Sequence, residues 1–170
     1  MKSRKMVALS VASFIIIGTT YLGYKTWDTL QTKEVINAKT EQLPSISFSK
    51  MDGSVIHLDS LRGTKELLVI NYFNPGCDHC KSMVTEMFHE QSRLETVRWL
   101  MITSENIETT KPFADSMKLA QLPMVTVISD TALLFAKTFG TASVPSFYVY
   151  DAGKLIRKHS GECSIQYLLK

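Results

Sequence analysis

Residues 67–80 read LLVINYFNPGCDHC. Leu67 to Phe73 form a continuous apolar run broken only by Asn71, the pattern of a central strand buried on both faces. The period changes after Cys77. Cys80, Met83, Val84, Met87 and Phe88 recur at helical spacing, and Leu94 continues the stripe, so an amphipathic helix is expected from Cys77 onward. Two cysteines therefore stand at a strand-to-helix junction, behind Asn74-Pro75-Gly76 and on either side of Asp78 and His79.

Four chemistries compete for this pair. A structural zinc site needs four ligands in closely spaced pairs. Here one pair exists, and Cys163, His57, His89 and His159 are scattered. A c-type haem needs a histidine directly after the second cysteine, and Lys81 stands there. Two inert core cysteines are a third reading, although Pro75-Gly76 marks an exposed turn. A redox couple fits the position. Cys77 at the start of a helix meets unpaired N–H groups and the helix dipole, which favour the thiolate. Cys80, one turn along on the apolar face, can reach back and resolve a mixed disulfide. Protonated His79 would favour the thiolate and Asp78 would oppose it. The sequence implies no metal and no cofactor. Met83 and Met87 read as core, Cys163 as a half-buried residue of the last helix, and His57, His89 and His159 as surface or turn residues.

The elements around this junction alternate. Ser45–Phe48 and Val55–Leu58 flank Asp52-Gly53, a hairpin turn. Val97–Ile102 is a strand. A helix follows from about Pro112, a residue suited to a first helical position, to Leu122. Met124–Ile128 is a strand rich in β-branched residues. Asp130 or Thr131 caps a short helix through Phe135 that Gly140 closes. Phe147–Tyr150 and Leu155–Lys158 flank Asp151-Ala152-Gly153, a second hairpin, and Glu162–Lys170 closes as a helix. This order argues an α/β sandwich around a mixed sheet. Val144-Pro145, at the mouth of a strand, is a candidate cis-proline site.

The first segment differs from the rest. Of the 19 basic residues, Lys2, Arg4 and Lys5 precede residue 6, and the others balance the 16 acidic residues one for one. The body of the protein is neutral, with no basic patch for nucleic acid. Met6 to Tyr24 carry no charge. As a helix they extend about 28 Å at ~1.5 Å per residue, near the thickness of a bilayer core. Basic residues before the run and Tyr21, Tyr24 and Trp27 near its end predict a membrane-inserted N-terminus with the remainder exported. A cleaved signal peptide is the alternative, for which Gly18-Thr19-Thr20 is a poor site. Residues 1–24 are thus expected as anchor, 25–42 as linker and 43–170 as the domain. In bacteria the exported side is an oxidising compartment, where disulfides are made and repaired.

Cys77-Asp78-His79-Cys80 after a buried strand, with Val144-Pro145 before the closing hairpin, resembles the thioredoxin fold. The N-terminal hairpin, with Met51-Asp52-Gly53-Ser54-Val55 and Leu58-Asp59-Ser60-Leu61-Arg62-Gly63, narrows the likeness. It is similar to TlpA/ResA-like membrane-anchored thiol–disulfide oxidoreductases of the redoxin group, over roughly Leu43 to the C-terminus. The stretch Arg98–Leu122 corresponds to an insertion that TlpA-like proteins carry.

The resemblance implies a thioredoxin-like three-layer sandwich with a central mixed β-sheet, preceded by a transmembrane helix. It implies a single-pass protein of the bacterial inner membrane with its domain on the periplasmic side. Cys77 would attack, Cys80 would resolve, and Pro145, in cis, would present the Val144 backbone to an extended substrate. The implied partners are disulfide-bearing protein substrates and a thiol electron donor in or across the membrane. The implied direction is reduction. The alternatives are a disulfide oxidase or isomerase, a thiol peroxidase, and a non-enzymatic metal chaperone or adaptor.

Three positions depart from the pattern. Thioredoxins carry a buried aspartate six residues before the first cysteine, and here it is Asn71. ResA-like members carry a glutamate six residues after it, and here it is Met83. The tryptophan before the motif is Gly76. Glu86 or water is left to take the proton of Cys80. Peroxiredoxins place a threonine three residues before their cysteine, and neither Cys77 nor Cys80 has one.

Overall fold

The computed structural model describes the backbone of residues 2–140 and 142–170 and the side chains of residues 14–140 and 142–170. The chain divides into two compact units, Met1–Asn37 and Ala38–Lys170. A single helix, α1, covers Lys2–Thr40, so the expected linker is helical. Along it, the hydroxyls of Thr19, Thr20, Thr26 and Thr29 donate to carbonyls one turn back, which removes their cost in an apolar setting. Phe14, Ile15, Ile16, Ile17 and Leu22 are exposed. Among the described residues no helix is long and apolar enough to cross a membrane. The side chains of Lys2, Arg4, Lys5, Val7, Ala8, Leu9 and Val11, on which the expected anchor rests, lie outside the described residues.

The second unit begins with a hairpin of β1 (Ser47–Ser49) and β2 (Val55–His57). Gly53 at φ +82° makes its turn, and the Asp52 carboxylate accepts from the Ser54 amide and hydroxyl. Then follow β3 (Leu67–Tyr72), α2 (Asp78–His89), β4 (Val97–Thr103), α3 (Ile107–Ser116), β5 (Val125–Ser129) and α4 (Leu134–Phe139). β6 (Ser146–Asp151), β7 (Lys154–Ser160) and α5 (Ile165–Leu168) complete the chain. The main sheet has the order β5-β4-β3-β6-β7. β3, β4 and β5 run parallel, while β6 and β7 pair antiparallel.

The period-two alternation of the central strands builds the layers. Val69, Val97, Trp99, Met101, Phe147 and Val149 face one side, against Cys80, Met83, Val84 and Met87 of α2, Phe113 of α3 and Ile165 and Leu168 of α5. Leu68, Ile70, Leu100, Ile102, Tyr148 and Tyr150 face the other, against Phe48, Leu58, Leu61 and the α4 residues Phe135 and Phe139. The result is the expected three-layer sandwich on a mixed sheet. Met83 and Met87 are core residues, 2% and 0% exposed.

Element boundaries differ from expectation where capping competes with pattern. Asn106 accepts the Thr109 amide at 3.0 Å and starts α3 five residues before Pro112, which lies inside the helix. A side-chain cap here outweighs the preference of proline for the first turn. Lys118 at φ 53° then breaks the chain away from helix before Leu122. Leu94 is buried as expected, but on a separate 3₁₀ turn, because α2 ends at His89. The last helix is one turn long. Ser164 caps it through the Tyr167 amide at 3.2 Å, and Gly161 at φ +96° holds the preceding residues in a turn.

Candidate active site

The parallel strands β3 and β4 deliver their C-terminal ends to one edge of the sheet, where loops can carry chemistry. β3 ends at Tyr72, and Asn74 folds the next four residues. Its carbonyl accepts the Cys77 amide at 3.0 Å and its side-chain oxygen accepts the Gly76 amide at 2.8 Å. Pro75 occupies the second position of this turn, where its fixed φ is pre-set. A Cβ at position 76 would come within 3.2 Å of the Asn74 Oδ1, so the turn is tight against glycine. On its other side Asn74 donates to Glu105 at 3.1 Å, which pins the loop to the segment after β4.

Cys77 is the N-cap of α2 and is half-buried. It stands just outside the helix rather than in its first turn, with its carbonyl accepting the Lys81 amide at 3.2 Å. Its Sγ faces the Val144 carbonyl at 4.0 Å. The Val144–Pro145 peptide is cis. Cys80 is 2% exposed and lies close to Cys77, both as free thiols. Burial pushes the Cys80 thiol from 9.0 up to about 12. A hydrogen bond from the Asn74 backbone opposes this, and its contact with Cys77 adds to the rise. The two cysteines are thus unequal: one is reachable and at the surface, the other shielded behind it and held protonated.

The central residues of the motif face solvent. Asp78 is engaged by Lys81 at 2.8 Å, and that hydrogen bond is the main reason its carboxyl sits below the ordinary range. His79 Nδ1 lies 2.5 Å from the Glu162 carboxylate.

Asn71 is 1% exposed. Its amide donates to the carbonyls of Tyr72 and Ser146, each at 3.3 Å. It fastens β3 to the start of β6 and so fixes the loop bearing Val144 and Pro145. Ser146 reinforces this by donating to the Ser143 carbonyl at 2.5 Å. Glu86 does not serve Cys80 here: its carboxylate accepts the Ile165 amide at 3.0 Å and lies near Cys163, whose thiol it helps raise. Among the described residues no group of three or more histidine, cysteine or acidic side chains could hold a metal ion. His57 rests on Ser47 at 2.7 Å.

Solved structures share this fold. One is DsbF of Mycobacterium tuberculosis, at TM-score 0.63 and 19% identity over 77% of this chain and 92% of that one. The architecture is thioredoxin-like. A second is a secreted M. tuberculosis disulfide oxidoreductase homologous to E. coli DsbE, at TM-score 0.60 and 16% identity over 73% of this thioredoxin-like chain and 91% of that one. A third is the exposed lipoprotein thioredoxin Etrx1 of Streptococcus pneumoniae, at TM-score 0.57 and 18% identity over 73% and 94%. No family model and no curated protein matches the sequence.

Asn74 and Glu162 are site residues that the sequence reading missed. Asn74 had a local signal, since Asn-Pro-Gly is turn chemistry. Glu162 had none, because 83 residues separate it from His79.

Proposed function

We propose that the protein is a thiol–disulfide oxidoreductase that reduces disulfides of protein substrates at an exported, membrane-tethered domain. One observation carries this: a half-exposed helix-capping cysteine stands in front of a buried one, beside the edge of the Val144 backbone. The Cys77 thiolate attacks one sulfur of a substrate disulfide. A Cys77–substrate mixed disulfide forms and the other substrate sulfur leaves as thiolate. Cys80 then loses its proton and attacks the Cys77 sulfur. The Cys77–Cys80 disulfide forms and the second substrate sulfur is released. The substrate gains two electrons and two protons, and the couple loses both. A thiol donor in or across the membrane recharges it. The thioredoxin-like fold and the neighbour named as a disulfide oxidoreductase support this chemistry. The basic start and the uncharged run Met6–Tyr24 support the anchor, with the domain on the extracytoplasmic side.

The test is the reduction potential of the couple, measured by equilibrating the protein in thiol buffers and counting alkylated cysteines by mass. A value near about −270 mV is expected for a reductase. A value near about −120 mV would assign an oxidase instead. Cys77→Ser is expected to lose all reduction of insulin disulfides. Stoichiometric metal held by Cys77 and Cys80, without turnover, would support a chaperone. Membrane fractionation with protease access to the domain tests the anchor.

A further inference from the structure

The segment after β7 wraps the front of the site. The Gly161 amide donates to the Pro145 carbonyl at 2.8 Å. Gly161 takes φ +96°, a conformation side-chain-bearing residues rarely adopt. That turn brings Glu162 across to α2, where its carboxylate meets His79 Nδ1 at 2.5 Å. His159 Nε2 lies 3.4 Å from the Glu162 carbonyl, and Ile165 is tied to Glu86 of α2 at 3.0 Å. One short segment is therefore fastened to both halves of the site, the proline loop and the cysteine helix.

The charges in the first turn of α2 are matched in pairs. Asp78 takes Lys81, and Glu162 takes His79. The His79 and Glu162 side chains are 67% and 51% exposed. An ion pair so exposed contributes little to stability. Its consequence lies in charge beside the reacting sulfurs.

We infer that Glu162 is a positioning residue for the redox couple: its carboxylate, held on His79 two residues from Cys77, adds negative charge to the site and biases the couple toward the reducing side. A cation near a cysteine stabilises its thiolate, and a stabilised reduced form makes a couple more oxidising. Removing the Glu162 charge makes the site more positive whichever protonation state His79 holds, so the sign of the effect is fixed. This inference rests on the Cys77–Cys80 couple proposed above.

The experiment compares the full-length wild type, Glu162→Gln and Glu162→Asp in glutathione buffers at pH 7. Glu162→Gln is expected to move the couple about threefold toward oxidising, about 14 mV at 29.6 mV per tenfold. Its melting temperature should stay at the wild-type value, and the shift should shrink in 1 M salt, where the screening length is about 3 Å. Glu162→Asp should restore most of the wild-type potential, and Glu95→Gln, at the far end of β4, should not move it. The ring nitrogen shifts of His79 should change in Glu162→Gln only. An unmoved potential, a shift to the reducing side, or a shift indifferent to salt would each overturn the inference while leaving the couple intact. If the wild type forms no Cys77–Cys80 disulfide, the couple itself falls and the inference with it.

Discussion

Cys80 and Cys163 occupy similar surroundings and have different prospects. Both pack on the same core cluster with α2. Burial is the main reason each thiol is raised, to about 12 for Cys80 and about 11 for Cys163. Beyond that they diverge. Cys80 has a second sulfur in reach and a turn of backbone that fixes it there. Cys163 has carboxylates, Glu86 and Glu162, which add to the rise, with Arg157 opposing it. Burial alone makes an inert thiol. A buried thiol becomes a resolving one only when a partner sulfur is held in front of it.

The largest expected effect breaks the pair. Cys80→Ser should abolish turnover while Cys77 still attacks, so the variant should accumulate mixed disulfides visible on non-reducing gels. Loss of attack as well as turnover would show that Cys80 does more than resolve.

Removing the frame rather than the sulfur should cost stability. Asn71→Ala deletes a buried hydrogen bond from β3 to the Ser146 carbonyl at the β6 entrance and a part-buried one to the neighbouring Tyr72 carbonyl, at about 1–3 kcal/mol in denaturant unfolding. Unchanged stability would mean that water replaces the amide.

Alkaline pH sharpens the comparison. Cys80 ionises near 9.0 in the unfolded chain and about 12 in the folded one. Between these values the unfolded state binds fewer protons, so the reduced protein should lose stability from about pH 9 upward. Cys80→Ala should flatten that decline. At pH 8 burial holds both thiols protonated, Cys80 more firmly than Cys163. Brief alkylation of the native reduced protein should therefore add a single group, on Cys77.

Cys163→Ala should have the smallest effect. It is half-buried and pairs with no sulfur, so a cost below about 1.5 kcal/mol is expected, with insulin reduction unchanged. A large fall in activity would make Cys163 part of the redox machinery.

Much of this molecule is local information. The run from Leu67 to Phe73 and the stripe through Cys80, Met83, Val84 and Met87 declare a buried strand and the helix after it, because strand and helix periods are short-range properties. Asp52-Gly53 and Ala152-Gly153 mark the hairpin turns, since Gly53 and Gly153 take the positive φ angles that favour glycine. The errors fall where two local signals compete, as when Asn106 starts α3 ahead of Pro112.

By itself the sequence determined the candidate pair and the elements that hold it: Cys77 and Cys80 at a strand-to-helix junction of an alternating α/β chain. Only the tertiary structure decided what surrounds them. Val144 comes to Cys77 from 67 residues away, Asn71 reaches Ser146 across 75 residues, and Glu162 meets His79 across 83. Hydrogen bonds and ion pairs act over a few ångströms of space, and no spacing along the chain records which distant residues the sheet order brings within that range.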